Sequence, residues 1–299
     1  KGFTSFLMAI PIWIKEKLFQ KHTLFESLNG IDPKFQIEKL LFSEHHLSHA
    51  ASAFFPSPFQ EALILTMDGV GEWATTSLAI GSGNGIEIIK EIHFPHSIGL
   101  LYSSFTYYCG FKVNSGEYKL MGLAPYGEPK YAEIIKTYLI DIKDDGSFWL
   151  NQEYFDYSTG LRMTNDKFNQ LFNHPARSEG SELTQFHMDI AASIQMVTEE
   201  VVVKLAKHAQ RETGKNYLCL AGGVALNCVA NGKLLKSDIF HDIWIQPAAG
   251  DAGGALGAAL ATYYMHLKMA RVPQQTDLMA GSYLGPSFDD HQIEKTLKS

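Results

Sequence analysis

Disulfide chemistry has little to work with in this chain. Among its 299 residues only Cys109, Cys219 and Cys228 carry thiols, at no paired spacing, which fits reduced cysteines in a cytoplasmic protein. No apolar run reaches the length needed to span a bilayer. Phe3 to Ile14 is apolar, but Pro11 interrupts it and Lys15-Glu16-Lys17 follows without a small-residue cleavage site. That stretch is therefore expected to be a helix buried against its own domain. Lys and Arg form no cluster and the formal net charge is -7, which argues against a nucleic-acid-binding surface. No short repeat is present. An initiating methionine is missing too, and the chain is expected to begin inside a longer protein.

What remains is 45% hydrophobic and 19% charged, enough for two lobes with a core each. The first informative stretch is Ser43 to Phe54 with the strand after it. Small and apolar residues predict a helix ended by Pro56 and Pro58. His45 and His49, four apart, share one face and can hold a divalent metal from one side. The apolar run Ala62 to Met67 predicts a strand that stops at Asp68-Gly69-Val70-Gly71. A carboxylate at a buried strand's end, followed by glycines, projects where an ion or phosphate can approach the backbone. Taken singly, the histidine pair is more often a polar helix face and the Asp-Gly more often a turn; together, one short loop apart, they favour a metal.

Thr75 to Gly81 and Ile86 to His93, joined by Ser82-Gly-Asn-Gly85, complete a three-stranded antiparallel meander. Ile98, Tyr102, Phe105 and Cys109 form a helical apolar stripe of core type. Asn114 to Gly127 contains Glu117 and Lys119 without periodicity, and is either a connection or part of a site. Lys130 to Leu139 is expected to be helix, and Asp144 to Phe172 an aromatic-rich insertion covering something rather than a core element. A long amphipathic helix over about 182–211 should open a second lobe.

Asn216 to Gly232 then places a buried strand before Gly222-Gly223 and a helix. Paired glycines admit a ligand to the backbone, the helix start offers free N–H groups, and Asn227 lies where it can bond a ribose or phosphate. By itself strand–Gly-Gly–helix is a weak nucleotide signal. Ile243 to Leu260 repeats the theme, with Asp251 in a glycine turn before a Gly/Ala helix. That helix suits either a hinge or an ordinary close contact.

Five motifs in order, His45-His-Leu-Ser-His-Ala, Met67-Asp-Gly-Val-Gly, Gly116-Glu-Tyr-Lys-Leu-Met-Gly-Leu-Ala-Pro-Tyr-Gly127, Leu220-Ala-Gly-Gly-Val-Ala-Leu-Asn227 and Gly250-Asp-Ala-Gly-Gly-Ala-Leu-Gly257, resemble the O-carbamoyltransferase family of nodulation-factor, cephamycin and aminoglycoside biosynthesis. The resemblance implies an α/β acetate-and-sugar-kinase/Hsp70/actin fold, two ribonuclease-H-like lobes around a nucleotide cleft, as in threonylcarbamoyladenosine transferases and the hydrogenase-maturation carbamoyltransferase. It implies His45, His49, Asp68 and Asp251 as ligands of Fe(II), Mn(II) or Zn(II). It also implies Gly222, Gly223, Asn227, Gly253 and Gly254 around ATP, and Glu117 and Lys119 lining the cleft as candidate catalytic residues. The implied reaction carries a carbamoyl group from carbamoyl phosphate through carbamoyl-adenylate to a small-molecule hydroxyl, with His46 a candidate base. A homodimer is compatible with it. The expected organisation is a first lobe over 1–180, lacking the family's first hairpin and holding the insertion at about 144–180. A second lobe follows over 181–281, and 282–299 leads into an absent YrdC-like domain. A sugar or acetate kinase of the same superfold, or a non-catalytic nucleotide-binding module, are the alternatives.

Overall fold

A computed structural model describes residues 2–34, 40–274, 276 and 278–298. Its centre is one five-stranded sheet, ordered β3-β2-β1-β6-β7. The meander forms as expected from β1 (Glu61–Gly71), β2 (Ala74–Ser82) and β3 (Gly85–His93), paired antiparallel. On the other side of β1 lies β6 (Tyr217–Ala221), and beyond it β7 (Asp242–Ile245), both parallel to their neighbour. A small hairpin, β4 (Ile140–Ile142) with β5 (Phe148–Leu150), lies apart.

The helices are α1 (Gly2–Ile12), α2 (Gln20–Ile31), α3 (His45–Phe54), α4 (Ile98–Tyr108), α5 (Glu117–Leu123), α6 (Ala132–Ile134), α7 (Asp166–Leu171), α8 (Gln185–Thr213), α9 (Cys228–Leu235), α10 (Asp251–Leu260) and α11 (Asp290–Leu297). Alternation along β1 sorts the two faces. Leu63, Leu65 and Met67 join a large core with Ile98, Leu101 and Phe105 of α4 and Ile190, Ile194 and Val201 of α8. Ala62 and Ile64 point the other way, into a smaller core with Ala50, Ala53 and Phe54 of α3. Each fully buried Phe or Leu contributes about 1.5–3 kcal/mol, so both helix layers are firmly held to the sheet.

On the α3 side α10 comes unusually near. A Cβ at Gly257 would lie 1.8 Å from the Ser48 carbonyl oxygen, so the two helices meet backbone to backbone. The Gly/Ala composition of α10 is what permits this.

Three expectations need correction. The chain does not divide into two lobes at 180/181, because β6 and β7 extend the sheet that β1 begins; α8, expected to open a second lobe, covers the first one's face. The aromatic segment after Asp144 is no cover. Phe148, Phe155, Phe168 and Phe172 are buried in the main core, with Phe168 edge-on to Phe105 and Tyr108. Finally, the apolar residues of α1 are not buried: Phe3, Phe6 and Leu7 are exposed, and no residue of α1 is buried. Apolar side chains ring that helix instead of forming a stripe, and among the described residues none of them is fully covered.

Candidate metal centre

The sheet's alternation decides where the carboxylate at the end of β1 points. Asp68 has the parity of Ala62, Ile64 and Thr66, and so faces α3, whose first turns carry His45 and His49. Asp68 Oδ2 lies 3.0 Å from His45 Nε2 and 3.1 Å from His49 Nε2, and the two Nε2 atoms are 3.0 Å apart. Asp251, the first residue of α10, brings Oδ1 to 3.6 Å from both Nε2 atoms. One ligand atom from each of the four residues falls within a 4.8 Å group. The site grades from inside to outside: His49 is 1% exposed, Asp68 15% and Asp251 80%.

The backbone around this cluster is built to hold it. Asp68 Oδ1 accepts from Gly69 N–H at 2.8 Å and Gly223 N–H at 3.2 Å. The buried Ser97 hydroxyl caps α4 and donates to the carbonyls of Asp68 and Gly69. The His45 ring lies flat against Gly71, where a Cβ would come within 2.0 Å of it. Burial opposes ionisation of Asp68, but bonds from His45, His49 and Gly69 N–H outweigh it and hold the carboxyl well below the usual range. The bond to Asp68 raises the His45 pKa against the opposing effect of burial, and the charges of Asp68, Asp251 and Glu72 add to the rise.

The cluster fits a cation better than it fits protons. If both imidazoles donate to Asp68 Oδ2, their Nε2–H groups meet head to head at 3.0 Å. A divalent ion bound through Nε2 lone pairs and carboxylate oxygens removes that conflict. With bonds of about 2.1 Å, ligand edges run from about 3.0 Å (octahedral) to about 3.4 Å (tetrahedral). The observed edges of 3.0, 3.0, 3.1, 3.6 and 3.6 Å lie close to this range. Two imidazoles and two carboxylates suit Fe(II), Mn(II) or Zn(II).

The other residues singled out in the sequence are placed less uniformly. His46 turns away from the cluster: Nδ1 meets Thr66 Oγ1 at 2.6 Å and Nε2 meets the Ala74 carbonyl at 3.0 Å. Burial, then the charges of His45 and His49, lower its pKa to about 4. Both ring nitrogens are engaged in the sheet, so the reading of His46 as a base does not survive. Glu117 pins its own loop, accepting from Ser103 Oγ and the N–H groups of Asn114 and Gly116. Lys119 is exposed, its ammonium 6.0 Å from the Tyr118 ring. Neither is joined to the cluster by a hydrogen bond or ion pair among the described residues.

Gly222 and Gly223 do reach the site. Gly222 has φ +90°, and a Cβ there would meet the Met67 carbonyl oxygen at 2.2 Å. Gly223 N–H is the donor to Asp68 already noted. Gly253 packs on the Ala248 carbonyl, whereas Gly254 faces open space. Asn227 does not point outward for a ribose. Its Oδ1 caps α9 at Ala230 N–H, 3.0 Å away, and its amide pairs with Gln195. Ser97 and Gln195 were missed at the sequence level. Ser97 had a legible signal, a serine directly before an apolar helix; Gln195 had only its place beside the buried stripe of α8.

Against known families, residues 1–260 match the profile described as carbamoyltransferase N-terminus. The uncharacterized protein sll1178 of Synechocystis sp. is 61% identical over all of this chain, which covers 49% of that protein. Nodulation protein NolNO of Sinorhizobium fredii is 42% identical over 85% of this chain and 35% of its own length. Nodulation protein NolO of Bradyrhizobium diazoefficiens is 38% identical over 83% of this chain and 42% of its own. The chain thus spans half or less of the length of these relatives. Among solved structures, full-length HypF in its phosphate- and nucleotide-bound form aligns with TM-score 0.47 and 13% identity, over 79% of this chain and 45% of HypF.

Proposed function

From the premise that this chain belongs to the carbamoyltransferase family through its N-terminal domain, we propose that it is the nucleotide- and metal-binding portion of an ATP-dependent O-carbamoyltransferase. The observation that carries this reading is the meeting of His45, His49, Asp68 and Asp251 around one point at the C-terminal end of the sheet's central strand. The donor set is that of a divalent-ion site, and Fe(II) is our first choice, with Mn(II) and Zn(II) next. A sheet of three antiparallel and two parallel strands supports reading the chain as one ribonuclease-H-like lobe of the acetate-and-sugar-kinase/Hsp70/actin superfold. No helix among the described residues is long and apolar enough to cross a membrane, and a cytoplasmic location agrees with the reduced thiols.

In this reading carbamoyl phosphate is first hydrolysed to carbamate and inorganic phosphate, and a carbamate oxygen attacks the α-phosphorus of ATP, breaking its bond to the β-phosphate so that pyrophosphate leaves and carbamoyl-adenylate remains. The acceptor's hydroxyl oxygen attacks the carbamoyl carbon, the carbon–oxygen bond to the adenylate phosphate breaks, AMP leaves with the bonding pair, and the hydroxyl proton passes to a base. The bound ion supplies positive charge against the phosphate oxygens. The protein's own contribution is positional. His45 and His49 come from one helix face and Asp68 from the facing strand, so their spacing is set before any ligand arrives. The start of α10 presents unpaired N–H groups and the positive end of a ten-residue helix beside Asp251, where an anionic phosphate is favoured. Gly222, bare of a side chain, lets the turn lie directly on β1. The base is not His46, for the reason given above.

The test is made on the full-length protein. Metal content of wild type and of His45→Ala/His49→Ala is measured by mass spectrometry, alongside AMP formed from ATP in the presence and absence of carbamoyl phosphate. We expect a bound divalent metal that the double variant loses, and carbamoyl-dependent AMP formation that falls with it. Equal metal content in the two proteins would defeat the assignment.

A further inference from the structure

The Gly222–Gly223 turn touches Asp68; its backbone is tied by Gly222 N–H to the Ala249 carbonyl and by Asn231 Nδ2 to the Ala225 carbonyl, and its far end, Asn227, is held by side chains from the opposite layer. We infer that Gln195 of α8 is the positioning residue of this turn, locking it through a paired-amide contact with Asn227 and thereby fixing the Gly223 N–H that orients Asp68. The inference rests on the functional reading above only where it reaches the metal.

The two amides are joined on both sides. Gln195 Nε2 donates to Asn227 Oδ1 at 3.0 Å, and Asn227 Nδ2 donates to Gln195 Oε1 at 3.0 Å. Both side chains are buried, Gln195 at 4% exposure and Asn227 at 7%. Each end is then fixed by a third group. Tyr102 O–H of α4 donates to Gln195 Oε1 at 2.9 Å, and Gln195 Nε2 also donates to Glu199 Oε1 at 3.0 Å. Burial raises the Tyr102 pKa, so the phenol stays a donor. Ala230 N–H, at the start of α9, donates to Asn227 Oδ1 at 3.0 Å.

These partners leave neither amide free to flip. Gln195 uses both lone pairs of its oxygen and both N–H groups; rotating it would set Nε2 against Tyr102 O–H and Oε1 against the Glu199 carboxylate. Rotating Asn227 would set its NH₂ against Ala230 N–H. A buried network in which every polar side-chain atom has a partner specifies one arrangement, and losing one member strands the others. From Asn227 back to Gly223 the chain is a single tight 3-10 turn, Gly223–Leu226, closed by Asn227 N–H to the Val224 carbonyl. Movement at Asn227 is therefore passed to Gly223, four residues earlier. The same helix also carries Asp189 and Ser193. Asp189 accepts from Glu128 N–H and the Lys130 ammonium, and Ser193 from Tyr131 N–H. One rigid helix thus anchors both the turn at 222–227 and the segment at 128–131.

The experiment compares wild type, Tyr102→Phe and Gln195→Met by amide hydrogen exchange and by Mn(II) titration. In Gln195→Met the amides of residues 222–230 should exchange at least tenfold faster, with Leu218 to Leu220 of β6 unchanged. Tyr102→Phe, which keeps the amide pair, should show a smaller effect over the same residues. Mn(II) affinity should fall about tenfold in Gln195→Met. Unchanged protection at 222–230 in a folded Gln195→Met protein overturns the inference. If that variant does not fold, Gln195→Asn, which stays uncharged but withdraws the amide by one methylene from Asn227, decides by the same exchange measurement. If wild type takes up no Mn(II), the metal reading falls, while the exchange result still decides the role of Gln195. Tight Mn(II) binding by wild type and Gln195→Met alike, with faster exchange only in the latter, would break the link to Asp68.

Discussion

Replacing Gly257 by Ala tests whether the closeness of α10 to α3 is what delivers Asp251 to the histidines. The added Cβ would sit 1.8 Å from the Ser48 carbonyl oxygen. A normal C···O contact is about 3.3 Å, so the helices must separate by about 1.5 Å. Asp251 lies six residues earlier on the same helix, about 9 Å along the axis, and moves with it. Its Oδ1 is 3.6 Å from both Nε2 atoms, and metal–ligand distances tolerate only about 0.2 Å. We expect metal affinity to drop by about 10- to 100-fold and the fold to lose about 1–3 kcal/mol from overpacking. The matched control is Gly254→Ala on the same helix, where nothing lies within 4 Å of the new Cβ. There the helix propensity of Ala should add up to about 0.5–1 kcal/mol. The assay is thermal melting with Mn(II) titration, without nucleotide. If the two variants melt alike and bind Mn(II) alike, the argument that contact between the helices places Asp251 is refuted.

Three further outcomes follow from the packing. Arg271 donates to the carbonyls of Phe54, Phe55, Ser57 and Phe59 at 2.8–3.1 Å and lies 4.2 Å over the Phe54 ring, closing the end of α3. Arg271→Met should therefore cost about 2–4 kcal/mol in denaturant unfolding, and Arg271→Lys, lacking the fork, should not restore it. His187 accepts from Thr184 N–H through Nδ1, and burial lowers its pKa from 6.5 to about 4. The unfolded chain then takes up a proton below about pH 6.5 that the folded protein refuses until about pH 4. Stability falls as pH drops through that window, and His187→Gln, which keeps a capping acceptor without titrating, should flatten this part of a pH–stability curve. Burial raises the thiols of Cys109 and Cys219 to about 12, while Cys228 is exposed. A thiol reagent should modify one cysteine in the native protein and three after denaturation; fast native labelling of more than one would contradict the packing.

The parts of the structure legible in the sequence are those governed by local period. Alternation announced the meander β1–β3, the spacing of His45 and His49 announced a shared helix face, and the glycines after β6 announced a bare-backbone turn. The four-residue cluster was reached by resemblance, and the geometry then gathered the same side chains to one point. What stayed hidden depends on distant partners. The pairing of β1 with β6 joins residues more than 150 apart, such as Leu63 and Leu218, and no window of sequence shows it, so one sheet was read as two lobes. His46 was misread because neighbours on a helix point about 100° apart: one step from a ligand is another environment, here the interior of the sheet. Asn227 looked available because its partner, Gln195, is on another helix. The aromatics at Phe148–Phe172 looked like a cover because their clustering carries no helical or strand period, although tertiary packing places them in the core.

The alternation of β1 has an evolutionary consequence. Gaining or losing a single residue anywhere between Ala62 and Asp68 would carry the carboxylate to the α8 side of the sheet and bring a hydrophobe to the histidines. Length variation in descendants of this chain should thus be confined to the ends of that strand, in the loop before Glu61 or the hairpin tip after Gly71. The interval from the first core residue to the acid is effectively frozen as a count, even where the identities of the hydrophobic residues within it drift.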